Sequence, residues 1–123
     1  ATAISQYAAL GALQAGPGYC RPYLADMAIV RRQGIEAMKS LEGRASLLPS
    51  TGAFYLFVRV PGYEGNDLDL ARNLIEHFGV AVIPGSAFGV NDVCAFRASF
   101  GALQSDSAIE GLDRLVTGLK NLV

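Results

Sequence analysis

The segment Val80–Gly101 constrains the fold more than any other part of the chain. Val80-Ala81-Val82-Ile83 is a short apolar strand, Pro84-Gly85 turns it, and Ser86-Ala87-Phe88-Gly89 forms a loop closed by glycine. A second strand, Cys94 to Phe100, then runs into Gly101. Alternation along it sets Cys94, Phe96, Ala98 and Phe100 on one face and Ala95, Arg97 and Ser99 on the other. One face of this strand is therefore fit for a core. The other carries an arginine whose neighbours on the strand are small, which leaves room for a guanidinium and something docked on it. A guanidinium is a planar fork of donors that matches a carboxylate or phosphate two bonds at a time. The local pattern equally allows an Arg97 that rests on a half-solvated face or pairs with a nearby acid.

The rest of the chain supplies what this pair of strands needs to pack against. Ala3–Gln14 reads as a helix stopped by Gly16-Pro17-Gly18, and Pro22–Leu41 as a longer one ended by Gly43. Tyr23, Met27, Val30, Met38 and Leu41 share one stripe of the longer helix, with Gly34 at the same spacing. A mid-helix glycine costs roughly 1 kcal/mol against alanine, so close packing is expected there. Arg44–Leu48 is a short strand and Pro49–Gly52 a turn. Ala53–Val60 is the strongest strand of the chain, near-continuously apolar and so expected in the centre of a sheet. Asn66 and Asp67 cap a helix from Leu68 to Phe78 that Gly79 closes. Ser105 or Ser107 opens the last helix, with Glu110 completing a capping box on Ser107, and Ile109, Leu112, Val116, Leu119 and Val123 form its apolar stripe.

The expected order is thus α-α-β-β-α-β-β-α. It implies an α+β fold with a small mixed or antiparallel sheet of three to four strands and helices packed on one face. At 123 residues with 51% hydrophobic and 17% charged side chains, residues 1–123 form one domain with an ordinary core. The net charge of -1 offers no footprint for nucleic acid or an acidic membrane. The uncharged first twenty residues hold several glycines and polar side chains and no basic leader, so neither a membrane span nor a secretory signal is expected. Ala1 falls inside a helical pattern, as in a piece of a longer protein. Cys20 and Cys94, far apart and without metal spacing, read as small buried hydrophobes of a reducing, cytoplasmic compartment, although one disulfide between them is compatible with the sequence.

Common catalytic patterns are missing. Ser86 lacks the glycine two residues before it that a nucleophile elbow needs, and the lone His77 falls at a helix C-terminus, where the dipole favours its charged form. Asn66-Asp67-Leu68-Asp69 lacks the spacing and distal glutamate of a calcium loop. No metal-ligand cluster, GxGxxG or Walker A loop is present.

Three stretches, Gly52-Ala53-Phe54-Tyr55-Leu56-Phe57, Gly79 to Gly89 with its Pro-Gly-Ser-Ala-Phe-Gly loop, and Phe96-Arg97-Ala98-Ser99-Phe100-Gly101, resemble in order and spacing the C-terminal part of the class I/II (fold-type I) aminotransferases. Upstream, Gln6-Tyr7-Ala8-Ala9-Leu10 and the helix bearing Arg31-Arg32 extend the resemblance over essentially the whole chain. The resemblance implies the small domain of a pyridoxal 5'-phosphate-dependent enzyme that moves an amino group between an amino acid and a 2-oxo acid, commonly as a homodimer. It implies that Arg97 clamps the substrate α-carboxylate, that Gly52 and the loop Pro84–Gly89 border the substrate, and that closure of this domain accompanies binding. Such chemistry needs a Schiff-base lysine and a phosphate cradle. Lys39 and Lys120, the only lysines, stand on polar helix faces outside the family's lysine motif. The expectation is therefore that no catalytic residue lies in this chain, that the cofactor-binding domain is absent from it, and that it is inactive alone. A lyase or synthase on the same scaffold, and a free-standing α+β module for small carboxylates, are the other readings compatible with the sequence.

Overall fold

Residues 2–123 are described by a computed structural model. Four helices and four strands follow the expected order: α1 Ala3–Ala15, α2 Arg21–Met38, β1 Ser46–Leu47, β2 Tyr55–Arg59, α3 Asp67–Phe78, β3 Ile83–Pro84, β4 Ala95–Ser99 and α4 Ser105–Leu122. The strands form one fully antiparallel sheet in the order β1-β2-β4-β3. Its two interior strands are the two longest, and Phe57 pairs with Arg97 while Ile83 flanks Arg97 from the other side.

Helices cover a single face. Leu56 and Val58 of β2 and Phe96 and Ala98 of β4 turn toward α2, α3 and α4, where Val30, Leu70, Leu74, Leu112, Leu115 and Leu119 complete the core. Phe96 is fully buried there. Gly34 explains how α2 comes so close: a β-carbon at that position would stand 3.0 Å from Leu112 and 3.1 Å from Leu56. The helical cost of that glycine is offset by the packing it permits.

The termini of α3 match the sequence expectation. The Asn66 side chain accepts a hydrogen bond from the Asp69 N–H at 2.8 Å, and Gly79 ends the helix at φ 66°. His77 sits in the last turn, where its Nδ1 lies 3.2 Å from the Asn73 carbonyl. Helix α4 opens on the first of the two expected serines and lacks the capping box. It begins at Ser105 after an N-cap at Gln104 that makes no side-chain bond, so Ser107 is inside the helix and cannot cap it. Glu110 pairs with Arg114 one turn on instead of reaching back.

The apolar side chains of α1 lie outside the core. Ile4, Tyr7, Leu10 and Leu13 are all exposed, and Tyr23 in α2 is 60% exposed despite its place on the apolar stripe. A helix this apolar with no buried residue has a surface suited to contact. Cys20 is exposed, not buried, Cys94 is half-buried, and both are free. Among the described residues no helix is long and apolar enough to cross a membrane.

Candidate functional site

The face of the sheet away from the helices carries Tyr55, Phe57 and Arg59 from β2 and Arg97 and Ser99 from β4, because alternation sends their neighbours into the core. This face is half-exposed and aromatic. Ala95 and Ser99 adjoin Arg97 along β4 as the alternation predicts, and rings from other segments form the walls of its face. The Phe88 ring centroid lies 4.7 Å from the guanidinium carbon and the Tyr55 centroid 5.4 Å from it. Phe57 meets Phe88 edge to face at 6.0 Å. Rings attract the cation through their π faces while leaving the edges of its planar fork free to donate.

Arg97 has no carboxylate partner among the described residues, whereas Arg59 on the same face has Asp92 at 4.0 Å. The Nε of Arg97 is buried without a hydrogen-bond partner. The Nε atoms of Arg31 and Arg59 share that property, so it does not by itself mark a site. Arg31 uses its guanidinium on the Ser50 carbonyl and Arg59 has its acid; Arg97 has only rings. A cation held in place with its donors unmet is prepared for an anion.

Phe88 reaches this position through the turn Gly85–Phe88, a single 3-10 turn capped by Gly89 at φ 81°. Gly85 is buried against β4, and a β-carbon there would fall 2.9 Å from the Ala95 β-carbon and 3.0 Å from its carbonyl oxygen. Only glycine allows so close an approach. The next residue is tied elsewhere: the Ser86 N–H donates to the Asp67 carboxylate at 2.6 Å. Partial burial pushes the Asp67 carboxyl up, but hydrogen bonds from the Ser86 backbone and hydroxyl, and from the backbone of Leu68 and of Asp67 itself, bring it below the ordinary 3.8. Burial, with a contribution from the Asp67 charge, pushes the Cys94 thiol up to about 11, which makes it a poor nucleophile.

Gly52 lies three residues before Tyr55 in the exposed turn that enters β2. The Ser50 hydroxyl donates to its carbonyl at 2.7 Å, and Ala53 follows at φ 71°, in a region that a β-carbon disfavours by about 1–2 kcal/mol. Strain thus stands next to the segment that delivers Tyr55. A cleft of about 780 Å³ opens beside this turn, lined by Arg31, Leu48, Ser50, Tyr55 and Phe57. It shares Tyr55 and Phe57 with the Arg97 face.

Other sequence candidates stay apart from this face. Lys39 pairs with Glu36 at 2.6 Å, and Lys120 is exposed in the last turn of α4. Asp69 pairs with Arg72 at 3.4 Å, and among the described residues no group of acids, histidines and cysteines could hold a metal ion. Sequence reading included Phe88 only as part of the loop Pro84–Gly89 and did not single out Tyr55. The alternation of β2 could have found Tyr55; nothing local identifies Phe88.

Comparison with known proteins gives a consistent result. A family model described as aminotransferase class I and II matches residues 2–115. A probable N-acetyl-LL-diaminopimelate aminotransferase of Bacillus subtilis is 33% identical over 120 residues, which is 94% of this chain and 28% of that protein. An aspartate aminotransferase from Rhodobacter sphaeroides superposes with a TM-score of 0.75 at 22% identity, over 87% of this chain and 26% of the other. A putative aminotransferase from Clostridium difficile, solved with pyridoxal phosphate bound, gives 0.71 at 18% identity over 85% and 27% of the two chains. These two likenesses show the fold. The chain spans less than a third of the length of each protein it matches here.

Proposed function

This chain belongs to the class I and II aminotransferases, and from that premise we propose that it is the C-terminal small domain of a pyridoxal phosphate-dependent enzyme in which Arg97 binds the α-carboxylate of the substrate. The complete enzyme exchanges an amino group between an amino acid and a 2-oxo acid. One observation carries the reading: a guanidinium on the open face, fixed between Tyr55 and Phe88, with no carboxylate partner among the described residues. A carboxylate placed on its free edge would receive two charge-assisted hydrogen bonds. Gly52 and the loop Pro84–Gly89 border the same substrate.

The residues present do not fit the cofactor. Both lysines are on the helical side of the domain, one already paired with Glu36, and neither adjoins the Arg97 face. The lysine that takes up pyridoxal phosphate therefore belongs to the remainder of the enzyme, and this chain alone is inactive. The exposed apolar surface of α1 is suited to contact with that remainder. A homodimeric, cytoplasmic enzyme belongs to the same reading.

The test is kinetic. In the complete enzyme, a panel of amino acids and their decarboxylated amines separates binding of the carboxylate from binding of the rest. Arg97→Lys should weaken the amino acids and leave the amines unchanged. Equal effects on both would reject the role.

A further inference from the structure

We propose that Asp67 is a positioning residue for Arg97, acting through the backbone of Ser86 and the ring of Phe88. This rests on the reading of Arg97 as the carboxylate clamp and adds a second residue to it, in a different element and far away in sequence.

The connection is a chain of contacts. Asp67 is the first residue of α3, rooted in the core by Leu70, Ala71 and Leu74. Its carboxylate reaches across to accept the Ser86 N–H at 2.6 Å. Ser86 lies in the one-turn helix Gly85–Phe88, so a bond to its N–H fixes that turn as a unit. At one end of the turn Gly85 is wedged on Ala95. At the other, Phe88 packs on the Arg97 guanidinium at 4.7 Å and on Phe57 at 6.0 Å. Gly85 sets how closely the turn approaches β4. The Asp67 bond sets its rotation about that contact, and thereby where the ring lies.

A helix-terminal acid has an ordinary role, in which its charge favours the N-terminal dipole. Asp69 is the internal comparison. It lies in the same first turn and pairs with Arg72, with no bond to the loop. A role confined to helix stability would make the two acids equivalent. A positioning role makes them different, because loosening the ring lets the guanidinium sample orientations in which the fork no longer meets a carboxylate.

The experiment uses the complete enzyme and takes, as probes, the amino acid of the twenty that gives the fastest half-reaction and the amine left by removing its carboxylate. Asp67→Ala should raise KM for the amino acid about 10-fold, on the scale of one hydrogen bond to a charged group, and leave the amine unchanged. Asp67→Asn, which keeps an acceptor oxygen, should recover part of that loss. Asp69→Ala should lower Tm without changing KM for either probe. If Asp67→Ala proves too unstable to purify, the Asp67→Asn and Asp69→Ala pair decides alone. Equal KM effects from the two acids, or an equal loss for amino acid and amine, would overturn the proposal while Arg97→Lys still discriminates the probes. Loss of that discrimination in Arg97→Lys itself would overturn the carboxylate reading and this inference together.

Discussion

Phe88 lies over Arg97 at 4.7 Å although one residue ends the 3-10 turn Gly85–Phe88 and the other is in the middle of β4, and the ring meets the cation on a face that the helices leave open. The contact orients the guanidinium without consuming its donors. An acid in the place of Phe88 would have satisfied the arginine; an aromatic ring holds it and keeps it available.

The contribution of that ring is measurable. Phe88→Leu keeps apolar bulk and removes the π face, with an expected loss of about 1 kcal/mol in carboxylate binding, or roughly fivefold in KM. Leucine should leave Tm nearly unchanged, since Phe88 is 45% exposed. Steady-state kinetics of the complete enzyme with amino-acid substrate checks this.

Gly85 tests the seating of the turn. Gly85→Ala places a β-carbon 3.0 Å from the Ala95 carbonyl oxygen, and backbone has little room to yield. The expected cost is about 1–3 kcal/mol, the range for overpacking a filled site. Denaturant unfolding measures it, and loss of the Phe88 contact should accompany it as a raised KM.

Asp67 should make stability depend on acidity. Its carboxyl, net of burial that pushes it up and hydrogen bonds from Ser86 that pull it down, titrates below the ordinary 3.8 in the folded state. The ionised form therefore stabilises the fold at every pH above 3.8, and that contribution is lost as pH falls through the lower folded value. Unfolding free energies of wild type and Asp67→Asn should differ by a constant amount at higher pH and converge below that point. A gap that persists in acid would contradict the assignment.

The two cysteines should behave differently toward alkylation. Cys20 is exposed, while the Cys94 thiol is half-buried and raised to about 11. At pH 8 iodoacetamide should modify native protein at Cys20 and spare Cys94, with both reacting after denaturation. Peptide mass spectrometry distinguishes the sites.

Much of this was legible in the sequence because it rests on local rules. The element order, the caps at Asn66 and Gly79, the close packing at Gly34 and the outward face of Arg97 follow from periodicity and turn residues. The walls of the site were hidden for two physical reasons. Tyr55 and Phe57 are themselves apolar, so the outward positions of β2 blur the alternation and the strand reads as one continuous run. Phe88 lies in a loop whose course is fixed by Gly85 on Ala95 and by Ser86 on Asp67, contacts between segments far apart in the chain. The capping box at Ser107 failed because the helix begins two residues earlier, at Ser105, and its N-cap Gln104 makes no side-chain bond. The side chains of α1 are largely apolar, yet none of its residues is buried among the described residues, so they form a surface and not a core.

The account depends most on Arg97, and its conservative replacement is the most direct test. In the complete enzyme, Arg97→Lys keeps the charge and loses the planar fork, so KM for amino-acid substrates should rise by about 10- to 100-fold, while the corresponding amines are handled as before. An Arg97→Lys enzyme with unchanged KM for amino acids would contradict the account.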